Sequence, residues 1–140
     1  RWIKKLARRR VGQDLDNPFS EHEAFTVERL GTVARQPVLL ECLYFDVDVF
    51  PAMNEAPPVP ADSLSRFVEQ RYQLKPRSGR QTFRVHVVTG ALAKSLRLPD
   101  GGPVVLVKRT LDFPSAPGAI FAELFCHTDE LVFSQDLMMP

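Results

Sequence analysis

Two arginine–glutamate combinations carry the residue types best suited to recognising a small molecule. Arg29 is followed by Glu41 twelve residues later, and Arg109 by Glu123 fourteen residues later. Each arginine lies in one strand-like run (VERL, VKRTL) and each glutamate in the next (VLLECLYF, IFAELFC). A guanidinium fork recognises a carboxylate or phosphate, and a carboxylate accepts from a hydroxyl or amine. The same residues can instead pair with each other, which requires good geometry to offset desolvation. Arg29 and Glu41 are read here as ligand-contacting. For Arg109 and Glu123 a structural ion pair is an equal alternative, and Glu123 is kept with Arg29 and Glu41 as a candidate ligand-binding residue.

Other chemistry is not signalled. The sequence has no GxSxG, P-loop, GxGxxG or HExxH pattern. His22, His86 and His127 are dispersed, and a metal site needs three or four converging ligands. Asp46, Asp48, Asp112 and Asp129 fall near turns or strand ends and read as solvated. No catalytic residue, metal or cofactor is therefore predicted. Cys42 and Cys126 lie in strand-like runs without a CxxC pattern and read as buried reduced thiols, with a disulfide left open.

Composition bounds the class. At 44% hydrophobic and 25% charged residues the chain is an ordinary globular sequence rather than a disordered one. A net charge of +1 gives the whole chain no electrostatic case for nucleic acid. There is no membrane-length apolar run and no signal-peptide pattern, so a cytoplasmic location is expected. The chain begins with Arg1, and the expectation is a piece of a longer protein.

Residues 1–10 (RWIKKLARRR) hold six basic residues, with Trp2, Ile3 and Leu6 spaced to share one face of a helix. Residues 11–24 read as a polar linker. Strands are expected over 25–30 and 37–46, with a turn at 34–36, then an extended surface crossing over 47–60. Residues 62–74 carry the clearest helical spacing, with Asp62 or Ser63 as cap. A half-buried strand over 81–88, a short helix over 89–96, strands over 104–111 and 119–126, and a last strand from Leu131 to Phe133 complete the reading. The two hairpins resemble each other, with the second loop two residues longer. They imply an α+β domain: one antiparallel β-sheet with two pseudo-repeated hairpins and covering helices.

The ordered set R-L-x(5)-Q-P-V-L-L-E at 29–41, Ser63-Leu64, Tyr72, Arg109, Asp112, Glu123 and Asp129 resembles the UTRA domain, the effector-binding half of HutC-type GntR transcription regulators. The resemblance spans roughly residues 27–138. It implies a chorismate lyase-like fold and a bacterial homodimer. Such a domain binds a small anionic or carboxylate-bearing metabolite and signals to an N-terminal winged helix-turn-helix on DNA. No winged helix is evident in residues 1–26. The organisation implied is a basic helix and polar linker over 1–24 and the effector-binding domain over 25–140.

Within that resemblance Arg29, Glu41 and Ser63 match effector-contacting positions, Ser63 at a helix start suited to an anion. Gly31 replaces a second arginine, Ser65 an aromatic, His127 an arginine and Leu131 a tyrosine, which disfavours a phosphosugar. The expected mechanism is a ligand-driven population shift between dimer arrangements, without turnover. A lyase-type enzyme acting on an aryl acid is the alternative on the same fold. A third reading makes the basic N-terminus a nucleic-acid-binding arm on a dimerisation body.

Overall fold

A computed structural model of the chain describes residues 1–59, 63–129 and 132–137. Among these residues six strands form one sheet: β1 (Trp2–Arg10), β2 (Glu23–Val33), β3 (Gln36–Phe45), β4 (Ser78–Val88), β5 (Gly102–Phe113) and β6 (Ala116–Cys126). Their order is β1-β2-β3-β6-β5-β4, and each neighbouring pair is antiparallel. Two three-stranded halves thus meet at the β3–β6 pair. The expected α+β class and the two pseudo-repeated hairpins are both present.

Side-chain alternation along the strands gives the sheet two distinct faces. On the front, Phe25, Val27, Leu43, Phe45, Ile120 and Ala122 pack with Leu64 and Val68 of helix α1 (Leu64–Tyr72). On the back, Leu30, Leu40, Val88 and Val104 pack beneath helix α2 (Gly90–Ser95), with Ala93 and Leu96 facing them. At the other end of the back, Val11 and Phe19 of the 11–22 loop cover Ala24 and Phe121. The loop and α2 occupy corresponding places in the two halves.

Residues 1–10 are a strand, not the helix expected. Register shifts between Trp2 and Lys4 and between Lys4 and Ala7 interrupt the twofold alternation. Trp2 and Leu6 reach the front core and Ile3 the back one, while Lys4 is carried to the back, opposite Glu28. The 2, 3, 6 spacing that fits a helical stripe is thus split between the two faces of a strand. The basic residues are also partly used within the sheet. Lys4 pairs with Glu28 at 3.1 Å, Arg8 with Glu23 at 2.7 Å, and Arg9 donates to the Thr26 carbonyl and hydroxyl at 2.8 Å.

The crossing over 47–60 also departs from expectation. Asp46 Oδ1 accepts from the backbone N–H of Asp48 at 2.8 Å and of Val49 at 3.3 Å, turning the chain inward. Phe50 and Met53 then lie three residues apart on one side of a turn, and both are fully buried. Their aromatic neighbours are Phe45, Tyr72 and Phe113, edge-on to Phe50 at 5.3 to 5.9 Å. At the C-terminal end, Leu131 lies outside the described residues, and Val132 and Phe133 are not in a strand. Phe133 stacks edge-on to Phe83 at 5.6 Å instead of entering the ladder.

Candidate ligand-binding site

Arg29 on β2 stands opposite Glu41 on β3. The Arg29 Nε donates to Glu41 Oε2 at 2.9 Å, and both side chains are more than four-fifths shielded from water. The two face the front, where α1 begins. Ser63 is the N-cap of α1, its Oγ accepting from the Arg66 backbone N–H at 3.5 Å. Asp62, the alternative cap, lies outside the described residues. Arg29, Glu41 and Ser63 therefore line one cavity of about 180 Å³, floored by Leu43, Phe45, Leu111, Ile120, Ala122 and Leu124.

The position of α1 over this cavity is held from its far end. Arg71 donates to the carbonyls of Ala52 and Ala56, both at 2.6 Å, and of Met53 at 3.3 Å. Its guanidinium also lies 5.2 Å from the Tyr72 ring centre, and Tyr72 donates its hydroxyl proton to the Pro51 carbonyl at 2.9 Å. A charged residue inside an apolar helical stripe was the sequence signal for this clamp, because such a residue buries its stem while its head seeks partners.

Arg109 and Glu123 do not form the second Arg–Glu pair. Across the β5–β6 hairpin Arg109 stands opposite Ala122, and Glu123 opposite Lys108. The two residues are one position out of register, so they point to opposite faces. Both hairpin tips hold only two residues, Ala34-Arg35 and Pro114-Ser115. The extra length expected in the second loop sits instead in an irregularity between Leu111 and Phe113. Arg109 consequently lines the front cavity with Arg29, Glu41 and Ser63. Glu123 faces the back and is not brought together with those residues.

On the back, Glu123 Oε1 accepts from the Tyr44 hydroxyl at 3.3 Å, and its other oxygen lies 4.0 Å from Lys108 Nζ. Lys108 pairs more closely with Asp16 of the 11–22 loop, at 3.1 Å. Burial pushes the Glu123 carboxyl above its ordinary range, with Lys108 opposing the shift. Hydrogen bonding to Lys108 holds Asp16 below its ordinary range. A larger cleft of about 350 Å³ lies beside this network along the edge strand, lined by Arg80, Arg84, Lys108 and Asp16. It has none of the residues that converge on the front cavity.

Neither thiol adds chemistry. Cys42 faces the back and Cys126 the front, so the two cannot bridge. Burial raises their pKa values to about 12 and about 11, which leaves both protonated at neutral pH. Among the described residues no cluster of histidine, cysteine, aspartate and glutamate is arranged for a metal ion. No helix among them is long and apolar enough to cross a membrane.

The model of the UTRA domain matches residues 15–111. The chain belongs to the UTRA domain family. Membership carries the effector-binding regulatory role expected from the sequence. Solved structures with the same fold include the C-terminal domain of the histidine utilization repressor from Pseudomonas syringae, at 15% identity and TM-score 0.81, covering 99% of this chain and 97% of that one. A GntR-family transcriptional regulator from Enterococcus faecalis matches at 12% identity and TM-score 0.77, covering 98% and 99%. The C-terminal domain of PhnF matches at 17% identity and TM-score 0.80, covering 97% and 86%. No curated protein matches the sequence with significance. The UTRA domain here differs from its sequence expectation mainly at the first strand and in the placement of Arg109 and Glu123.

Proposed function

We propose that the front cavity is the effector site of a bacterial, cytoplasmic transcription regulator, and that this UTRA domain senses a small carboxylate-bearing metabolite without turning it over. The observation that carries the reading is the convergence of Arg29, Glu41 and Ser63 over one apolar floor. Pockets for drug-sized ligands span about 300–1,000 Å³, so a cavity of about 180 Å³ suits a small metabolite. Glu123 is left out of the contact set because it faces the other side of the sheet.

Homodimerisation is part of this proposal, and the edge strand β4 supports it. Its ladder to β5 is regular over eleven residues, and Phe83, Val85 and Val87 are all more than half exposed. A long, regular, apolar edge is a template for another chain unless it is protected. The opposite edge, β1, is irregular and charged. Effector held between the sheet and α1 would favour one dimer arrangement and so reposition an attached winged helix-turn-helix on DNA.

A thermal-shift screen against small carboxylates, amino-acid derivatives and sugar phosphates tests the reading, because a ligand of the native state raises its apparent stability. A hit whose affinity is unchanged in Arg29→Ala refutes the site. Formation of 4-hydroxybenzoate from chorismate would refute the non-enzymatic role. Light scattering of wild type and Val85→Lys tests the dimer: a dimer in both leaves the β4 edge unsupported.

A further inference from the structure

We propose that Arg109 is the anion-binding residue of the front cavity, and that it selects a monoanionic effector with an apolar body. The inference rests on the reading of that cavity as the effector site and adds the ligand class. Three charged residues among those described line the cavity: Arg29, Glu41 and Arg109. Arg29 and Glu41 neutralise each other at 2.9 Å. Among the described lining residues the surplus is therefore one positive charge, and it resides on Arg109.

The donor geometry agrees. Arg109 uses its Nε on Gln81 Oε1 at 3.0 Å, and the side chain makes no other hydrogen bond or ion pair with the described residues. The Nε bond to a neighbouring strand fixes the plane of the guanidinium. The terminal N–H groups remain available for a two-oxygen acceptor, the arrangement in which arginine recognises carboxylates. Between β5 and β3 lies the small residue Ala122, directly opposite both Arg109 and Leu43. A bulkier side chain there would separate the arginine from the Arg29–Glu41 side.

The rest of the lining defines the remainder of the ligand. Leu111, Ile120, Leu124 and Phe45 offer no hydrogen bonds and suit a hydrocarbon body. Glu41 spends one carboxylate oxygen on Arg29 and can accept from a hydroxyl or amine with the other. A phosphate or dicarboxylate would bring a second negative charge next to Glu41, and the described lining has no further cation to offset it.

The test uses calorimetric titration of the whole chain with 3-methylbutanoate, 3-hydroxybutanoate and benzoate, each beside its neutral amide, and with succinate and inorganic phosphate. Each variant is first shown to keep the wild-type unfolding transition. A monocarboxylate is expected to bind at least about tenfold tighter than its amide. Arg109→Met is expected to weaken the acid by about tenfold to a hundredfold and erase the preference over the amide, whereas Arg109→Lys retains part of it. Equal binding of acid and amide, or tighter binding of succinate or phosphate, overturns the ligand class. Unchanged acid affinity in Arg109→Met, with binding lost in the cavity-filling Ala122→Phe, overturns the role of Arg109 and leaves the cavity as effector site. Unchanged affinity in both variants overturns the cavity reading as well.

Discussion

Breaking the Arg29–Glu41 pair measures how far it is a structural ion pair in the absence of ligand. Its separation is 2.9 Å, and the side chains are 19% and 17% exposed. That shielding places the pair between two regimes. Exposed pairs contribute about 0.2–1 kcal/mol in double-mutant cycles. Removing one partner of a fully buried pair costs about 3–5 kcal/mol. Glu41→Gln keeps the shape and leaves Arg29 beside a neutral acceptor, so a loss of about 1–3 kcal/mol is expected. The double variant Arg29→Met, Glu41→Leu removes both charges and replaces them with apolar volume. It should recover most of the stability, giving a coupling energy of about 1–3 kcal/mol. Urea titration followed by Trp2 fluorescence provides the readout, since Trp2 is the one tryptophan and packs against the front core. A coupling below about 0.5 kcal/mol, the level at which independent sites add, would refute the claim that the two residues work as a structural unit.

Three further outcomes follow from the same geometry. Glu123 has a raised folded pKa, so its contribution to stability is fully present below the ordinary carboxylate pKa of about 4 and is lost as pH rises through the folded value. Glu123→Gln should therefore be more stable than wild type near neutral pH and lose that advantage near pH ~4; a parallel pH dependence of the two melting temperatures would contradict the burial argument. Phe50→Ala removes a fully buried ring with three edge-on aromatic neighbours, and a loss of about 3–5 kcal/mol in chemical denaturation is expected, whereas a loss under about 1 kcal/mol would mean the 47–60 crossing does not belong to the core. Cys42 and Cys126 should resist alkylation by iodoacetamide at neutral pH until the chain is unfolded in urea, and rapid native-state labelling would refute the protonated, shielded state.

Local pattern determined much of this molecule. Runs of β-branched, aromatic and aliphatic residues flanking turns marked the β2–β3 and β5–β6 hairpins, and alternation of apolar and polar residues marked β4. The spacing of Leu64, Phe67, Val68 and Tyr72, with Ser63 ahead of it, marked α1 for the same kind of reason at a period of 3.6. Arg29 and Glu41 could be placed together because twelve residues around a tight turn returned them to directly opposite positions.

What the sequence left open depended on small offsets that only the assembled sheet defines. The spacing of Trp2, Ile3 and Leu6 fits a helical stripe as well as a strand, and only pairing with β2 sends Ile3 to the face opposite Trp2 and Leu6. One position of register across β5–β6 decided which member of the second Arg–Glu combination faces the cavity. Because neighbouring side chains in a strand point to opposite sides, that single step carried Glu123 to the back, against Lys108 and Tyr44, and left Arg109 at the front. The residue types for ligand recognition were legible in the sequence; which of them share a cavity was decided by strand register, a property of pairing between segments and not of either segment alone.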